Sequence, residues 1–182
     1  MTRKKVREHL FKMLFLLDFY SREELDSQAS RYLEEVCHNG AAEGETEESL
    51  EKVCRELDQK YHAVAEHLEE IDQQIEEKSN GWSLKRLAKA DITALRLAIY
   101  EIRYDEDVPA GVAVNEAVEL AKLYGTDKSP AFECLVLLSG TARRSKYEQS
   151  SDCVSDQPVY CKSFQTGLYA FGDPGEGRDL RM

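Results

Sequence analysis

The chain of 182 residues has no apolar run long enough to cross a membrane as a helix, since such a helix needs about 18 consecutive apolar residues. Its beginning carries basic residues, as the start of a signal peptide would. The apolar segment that should follow is interrupted by charged or polar residues, which are Glu8, His9, Lys12 and Asp18. We therefore expect no signal peptide and a cytoplasmic location.

The cysteines and histidines do not form the clusters that bind metals. The five cysteines include no CxxC pair, and because their number is odd we expect reduced thiols rather than a closed set of disulfides. No histidine lies four residues from another, the spacing that would place two ligands on one helix face. The acidic segment 66–72 also lacks the repeated Glu-x-x-His pairs of helical di-metal sites. We expect no metal and no cofactor.

The motifs of several common enzyme classes are also missing. The sequence contains no GxGxxG, no phosphate-binding P-loop and no GxSxG, so nothing predicts a nucleotide cradle or a nucleophilic serine. Acid–base chemistry needs no such motif, but no spacing in the chain positions a pair of groups for it. We predict that the protein is not an enzyme.

Charge is distributed unevenly along the chain, whose net charge is −11 at pH 7. Its composition, with 42% hydrophobic and 32% charged residues, is that of a globular domain, and its length suffices for one substantial core. Residues 1–12 have an excess of four positive charges, whereas residues 43–78 contain 13 acidic and 4 basic residues. A basic end on an acidic body can bind a phosphate backbone locally while the body repels it. The alternative is that the basic end only keeps the chain soluble.

Apolar residues recur at helical spacing through most of the chain, and no convincing strand appears. Ser21 and Glu24 form the pattern of a capping box at the start of a second helix, which Asn39-Gly40 should end before an acidic loop over 40–48. A long pattern from 50 to 75 predicts two helices with a break near 61–67. The first helix carries two apolar stripes. The first predicts a buried face and consists of Val6, Leu10, Met13, Leu14 and Leu17. The second predicts either deeper burial of the helix or a partner surface, and consists of Phe11, Phe15 and Phe19.

Residues 91–132 carry the most specific pattern of the chain. A nearly all-apolar helix over about 92–102 should be central, because it has few polar sides to expose. Pro109 fixes the connection to a second helix over 112–123, which Gly125 closes. Ser129-Pro130 has the form of an N-cap followed by the first helical position, and predicts a further helix start. The whole predicts an all-α, compact bundle of about seven helices.

Two runs in this segment resemble the NusB family of bacterial transcription antitermination factors. They are Leu95-Arg-Leu-Ala-Ile-Tyr-Glu101 and Val114-Asn-Glu-Ala-Val-Glu-Leu-Ala-Lys122, and the resemblance extends over roughly residues 3–132. It implies a helical RNA-binding protein that acts by binding, without catalysis, on ribosomal RNA operons.

The resemblance also implies an RNA-binding surface for single-stranded boxA-type RNA. In this chain its positions correspond to Arg3, Lys4, Lys5, Arg7, Arg96, Lys128 and Phe132. Basic side chains would contact phosphates, and an exposed aromatic ring would stack on a base. Two of these positions have a structural alternative: Phe132 can be packed in the core, and Arg96 can form an internal ion pair with Asp91 or Glu101. Lys128, where the family often has an acidic residue, should strengthen RNA contact.

The protein partner that the resemblance implies is the small-subunit ribosomal protein NusE, with other Nus factors and RNA polymerase joined indirectly. The expected partner-binding residues are Phe15, Phe19 and Asp91, although burial in the core would equally explain Phe15. Some members of the family self-associate through the same surface, so a homodimer is a further option. No membrane partner is expected.

After Phe132 the sequence departs from the pattern Val-Asn-Gly-Val-Leu-Asp that the family implies. We predict a helical domain over 1–140 and an irregular or disordered tail over 141–182, where no apolar period persists. The tail is either an extension particular to this lineage or the product of a lost reading frame. Two other functions compete with antitermination: a helical protein–protein scaffold without RNA binding, and an RNA-binding module like that of ribosomal RNA cytosine methyltransferases.

Overall fold

The computed structural model describes residues 1–78, 84–127, 129 and 136. Throughout these residues the fold is all-α and contains no strand, as predicted. The described part has six α-helices and two short 3-10 helices, against about seven helices predicted for the chain. The α-helices are α1 Arg3–Phe15, α2 Arg22–Ala42, α3 Glu47–Glu66, α4 Leu68–Lys78, α5 Lys89–Tyr104 and α6 Ala110–Tyr124, and the 3-10 helices are Leu16–Asp18 and Leu84–Arg86.

The start of α2 confirms the predicted capping box, but its end corrects the prediction. The backbone N–H of Ser21 donates to Glu24 Oε2 at 3.2 Å, which satisfies a donor that the helix itself leaves free. The helix continues through Gly40 to Ala42, and Gly40 packs so closely on Leu50 that a Cβ there would collide with it. The chain turns instead at Gly44, whose φ of +88° favours glycine.

The long apolar pattern is divided where the sequence predicted a break. Helix α3 ends at Glu66, and His67 leaves the helical conformation with φ −95° and ψ 6° before α4 begins. The break redirects the chain so that both helices bury their apolar side, including Leu57, Val64, Ile71 and Ile75, each with no exposed surface.

Helix α5 is central, as its apolar sequence predicted. It packs against α1, α3, α4 and α6, and its buried residues include Ile92, Ala94, Leu95, Leu97 and Ala98. Three charged residues of this helix, Asp91, Arg96 and Glu101, are buried with them. Because a buried charge must be paired or neutralised, these residues determine much of the chemistry described below.

Two expectations from the sequence change, one at Ser129 and one at a pair of cysteines. Ser129 is itself helical, and its Oγ accepts the backbone N–H of Thr126, three residues before it, at 2.8 Å, so Ser129 is not the predicted N-cap. The sulfurs of Cys37 in α2 and Cys54 in α3 are in contact, a pairing that we did not predict when we expected reduced thiols. Their Cα atoms lie 7.2 Å apart, beyond the span of about 4.4–6.8 Å usual for a disulfide.

The searched, described residues include no helix that is both long and apolar enough to span a membrane. The predicted domain boundary at residue 140 and the tail 141–182 lie outside the described residues.

Candidate nucleic-acid interface

The first turn of α1 concentrates exposed positive charge. Arg3, Lys4 and Lys5 all lie in this turn with exposed side chains, and the turn contains no acidic residue. The N-terminal end of a helix already carries positive partial charge from its free N–H groups, so cations here stabilise the helix less than anions would. Their charge adds to that of the helix end, and the combination attracts a phosphate.

Part of this basic turn is paired with the connection between α2 and α3. Lys5 Nζ lies 2.7 Å from Glu43 Oε2, and the hydrogen bond to Glu43 raises the pKa of Lys5. The N-terminal amino group of Met1 lies 2.6 Å from Glu45 Oε1. The described ion pairs do not include Arg3 or Lys4. The predicted acidic loop is therefore a local counter-charge for the basic turn.

Arg7 is directed inward and joins three helices. Its Nε lies 2.8 Å from Glu101 Oε1 of α5, and one of its terminal nitrogens lies 3.5 Å from Glu116 of α6. Only 11% of the Arg7 side chain is exposed. Burial raises the pKa of Glu101, and Arg7 opposes that rise. Arg7 therefore orients the start of α1 on the core, apart from its exposed basic neighbours.

Arg96 is held by two carboxylates that lie far from it in the sequence. Its Nε and one terminal nitrogen donate to the two oxygens of Asp72 at 2.7 and 2.8 Å, and its other terminal nitrogen donates to Asp18 at 2.9 Å. The alternative of an internal ion pair is thus what the structure contains, but with partners other than the predicted Asp91 and Glu101. The fork geometry ties α4 and the 3-10 helix Leu16–Asp18 to α5.

Four aromatic rings form a row that starts at the end of α6, continues along α1 and ends just after the 3-10 helix that follows α1. The ring centroids of Tyr124 and Phe11 lie 4.9 Å apart, those of Phe11 and Phe15 lie 6.4 Å apart, and those of Phe15 and Phe19 lie 4.9 Å apart. We call Tyr124, Phe11, Phe15 and Phe19 the aromatic row. Phe11 is buried, Phe15 is half-buried and Phe19 is 60% exposed, so the row changes from core to surface along the helix.

Asp91, predicted to bind a partner, lies in the interior beside the end of α6. Its side chain is buried, and its Oδ1 has no hydrogen-bond partner in the described part of the chain. A Cβ added to Gly125 would lie 2.7 Å from this oxygen. Burial raises the pKa of Asp91, and a hydrogen bond with Ser129 opposes the rise. Direct contact between Asp91 and a partner therefore requires the Gly125 turn to move.

The end of α6 contributes exposed apolar residues that sequence reasoning missed. Leu123 is 62% and Tyr124 is 39% exposed, and the Tyr124 hydroxyl donates to Glu8 Oε1 at 2.6 Å. The sequence contained a signal for this exposure, because both residues lie at the end of the predicted helix, after the apolar positions Leu120 and Ala121 that face the core. Lys128 and Phe132, predicted to bind RNA, lie outside the described residues. No cluster of three or more metal-ligating side chains occurs among the residues searched.

The inward arginines, the aromatic row and all of the basic turn except Arg3 fall within a segment that matches one known family. Residues 4–133 match the model of the NusB family. The chain belongs to the NusB family. The match ends one residue after Phe132, where the NusB-like sequence pattern is also lost.

Two curated relatives have the same name, and their alignments with this chain cover most of each relative's length. The chain is 44% identical over 132 residues to the transcription antitermination protein NusB of Agathobacter rectalis, covering 72% of this chain and 93% of the relative. It is 42% identical over 136 residues to that of Lachnoclostridium phytofermentans, covering 72% and 92%. These relationships establish transcription antitermination as the general function of the NusB-family part of the chain.

Two solved structures share the fold. T. maritima NusB is 32% identical, with a TM-score of 0.61, and the alignment covers 76% of this chain and 89% of that one. A chain of the structure described as a plectonemic RNA supercoil is 27% identical, with a TM-score of 0.57, covering 75% and 91%. The likeness to T. maritima NusB supports the all-α NusB fold.

Proposed function

We propose that this NusB-family protein binds boxA-type single-stranded RNA of ribosomal RNA operons together with the small-subunit ribosomal protein NusE. The observation that carries the proposal is the exposed basic first turn of α1, on a chain whose net charge is −11. A polyanion can be attracted to this turn and repelled by the acidic body, which orients the RNA. The protein acts by holding RNA and ribosomal protein together, without a chemical step, and joins other Nus factors and RNA polymerase through that complex.

Direct phosphate contacts are assigned to Arg3, Lys4 and Lys5. Their side chains are exposed, and the ion pair of Lys5 with Glu43 is itself on the surface, with side-chain exposures of 52% and 61%. Such a pair is weak, so a phosphate can replace Glu43. Lys128 and Phe132 complete the proposed RNA surface as a further cation and a stacking ring.

Arg7 and Arg96 support the RNA surface from within. Each guanidinium is mostly buried against two carboxylates, so a direct phosphate contact would have to break a desolvated ion pair. Removing one member of such a pair leaves the other charge unpaired, which destabilises a protein by about 3–5 kcal/mol. We assign both residues a positioning role, Arg7 for the basic turn and Arg96 for the packing of α4 and α5.

The exposed end of the aromatic row is the proposed contact for NusE. Phe19 is the most exposed aromatic side chain of the row, and the neighbouring Phe15 ring contacts it at an angle of 40°, with the centroids 4.9 Å apart. Aromatic anchors of this kind contribute most of the binding energy at many protein interfaces. Asp91 contributes to this contact only if the turn at Gly125 opens.

Binding of a boxA RNA oligonucleotide to the full chain, with and without NusE, tests the proposal. Titrations at two salt concentrations should show partner-enhanced binding that weakens with salt, because each phosphate neutralised releases counterions. A scrambled RNA of the same length controls for charge alone. The triple variant Arg3→Gln, Lys4→Gln, Lys5→Gln should lose binding and shift the salt dependence, and Lys52→Gln, Lys85→Gln, Arg86→Gln, at exposed positions, is its charge-matched control.

Two results would overturn the proposal. Equal binding of boxA and scrambled RNA would remove sequence selectivity. NusE binding that is salt-insensitive and unaffected by RNA and by the triple variant would favour the protein–protein scaffold.

A further inference from the structure

Two cysteines face each other across the hairpin that α2 and α3 form. The sulfurs of Cys37 in α2 and Cys54 in α3 are in contact, and both side chains are half-buried, so solvent reaches them. Their Cα atoms lie 7.2 Å apart. Because a disulfide cannot join Cα atoms more than about 7 Å apart without backbone movement, the bond forms only if α2 and α3 move closer at this point. The oxidation state of the pair is therefore coupled to the spacing of the two helices.

The acidic connection 43–46 lies at the closed end of the same hairpin. Between the cysteine pair and this connection, Gly40 of α2 packs closely on Leu50 of α3. A bond between Cys37 and Cys54, which are 17 residues apart, encloses the whole connection in a covalent loop. Such a crosslink restricts the opened states of the enclosed segment and so disfavours its local opening.

The enclosed connection carries the counter-charges of the basic turn. Glu43 lies 2.7 Å from the ammonium of Lys5, and Glu45 lies 2.6 Å from the amino group of Met1. The backbone N–H groups of Gly44 and Glu45 donate to carbonyl oxygens of α2, each at 3.1 Å. When these hydrogen bonds open, both carboxylates can leave the basic turn. A connection that opens less often keeps them in place.

From the facing cysteines and the charged connection that they enclose, we propose that Cys37 and Cys54 form a reversible dithiol–disulfide pair that controls access of RNA to the basic turn. The oxidant is a small-molecule disulfide. The thiolate of one cysteine attacks it, which forms a mixed disulfide and releases one small thiol. The second cysteine thiolate then attacks the protein sulfur of the mixed disulfide and releases the other small thiol.

In this exchange the protein gives up two electrons and two protons, and the oxidant becomes two thiols. Oxidation fastens Glu43 and Glu45 on the basic turn and so weakens RNA binding. This last consequence rests on the proposed function, whereas the bond and its effect on the connection do not.

Redox buffers of oxidised and reduced glutathione, applied to the full chain, test whether the bond forms. Trypsin separates the two cysteines, so the disulfide links the peptides 32–52 and 53–55. We expect the linked peptides to accumulate with oxidised glutathione and to disappear with reduced glutathione. Cys37→Ser removes the bond but keeps the other four cysteines, so it shows any effect of oxidation that comes from them.

Hydrogen exchange and RNA binding measure the consequence of the bond. In the oxidised chain the amides of Gly44 and Glu45 should exchange severalfold more slowly, because the connection opens less often, and Cys37→Ser should show no such change. Affinity for boxA RNA should fall about two- to fivefold at low salt, the scale of weak surface ion pairs. In the double variant Glu43→Gln, Glu45→Gln, oxidation should still slow exchange but leave RNA affinity unchanged.

The absence of linked peptides, or linked peptides without slower exchange, would overturn the proposal. Equal RNA affinity of the oxidised and reduced chains would overturn the control of RNA binding. If neither form binds boxA RNA selectively, the proposed function fails and this control fails with it, while the linked peptides and the exchange rates still decide whether the pair fastens the connection.

Discussion

Lys5 Nζ and Glu43 Oε2 lie 2.7 Å apart, so the basic first turn of α1 is paired within the protein by the connection that follows α2. The pairing is repeated beside it, where the N-terminal amino group meets Glu45 at 2.6 Å. A carboxylate in this place occupies a cation that RNA phosphate would use. At the proposed RNA surface the two acidic residues would therefore compete with RNA for the same charges.

Neutralising Glu43 should strengthen RNA binding. In Glu43→Gln the Lys5 ammonium is released, and we expect affinity for boxA RNA to rise about two- to fivefold at low salt, since exposed ion pairs are weak. The gain should shrink as salt increases. Fluorescence anisotropy with labelled RNA measures it.

Glu34→Gln is the control, because it removes the same charge from an exposed position of α2. An equal gain in the two variants would show that only net charge matters, and would contradict competition at Lys5.

Truncating Arg96 should mainly lower the stability of the fold, with a smaller effect on the binding surfaces. Arg96→Met leaves Asp72 and Asp18 without their shared cation, and we expect a loss of about 3–5 kcal/mol in the free energy of unfolding. Arg96→Lys should recover only part of it, because a lysine cannot make the two-pronged contact with Asp72. Urea denaturation measures the change.

The exposed pair of Arg55 and Glu51, 4.0 Å apart, provides the comparison for Arg96. We expect Arg55→Met to stay within about 0.5 kcal/mol of the original protein. A stable Arg96→Met protein with weakened RNA binding would instead assign Arg96 a direct role at the RNA.

Phe19 should matter for NusE binding and not for folding. Because 60% of Phe19 is exposed, Phe19→Ser removes little buried surface and should change stability by less than about 1 kcal/mol. We expect NusE affinity to fall about tenfold or more, as for a central aromatic anchor, measured by calorimetry. Val112→Ser, at an apolar position 42% exposed on α6, should leave it unchanged, and equal losses in both variants would refute a specific contact.

Local patterns predicted the helices well because the interactions that define a helix join residues close together in the sequence. The capping box joins Ser21 and Glu24, which are three positions apart, and its prediction is confirmed. The break near 61–67, which the excessive length of a single helix over 50–75 predicts, is also confirmed. The end of α2 was predicted wrongly at Gly40, because only the packing of that glycine on Leu50 shows why it lies inside the helix.

The candidate site was harder to predict because its charges pair across the fold. Arg96 is 24 residues from Asp72 and 78 from Asp18, so no local spacing identifies these partners. The same holds for Lys5 and Glu43, which are 38 residues apart. Sequence reasoning identified the basic segment, but which cations remain exposed depends on how the helices pack.

The buried carboxyl of Asp91 should give the protein a characteristic dependence on pH. Burial raises its folded-state pKa above 3.8, against the opposing hydrogen bond with Ser129, so the folded state holds the proton more tightly than the unfolded state. The stability that this group contributes is therefore present at low pH and is lost as the pH rises from about 4 through the folded pKa. Asp91→Asn removes this titration, so its free energy of unfolding relative to the original protein should increase across that window and then level off.

Urea denaturation at a series of pH values measures this difference, with Asp107→Asn as the control at an exposed position. The control should track the original protein, because Asp107 lies on the surface and its substitution buries or exposes nothing. A difference between Asp91→Asn and the original protein that falls as the pH rises would mean that the folded state favours the charged carboxylate. In that case the polar groups around Asp91, among them the first turn of α5 and Ser129, outweigh its burial.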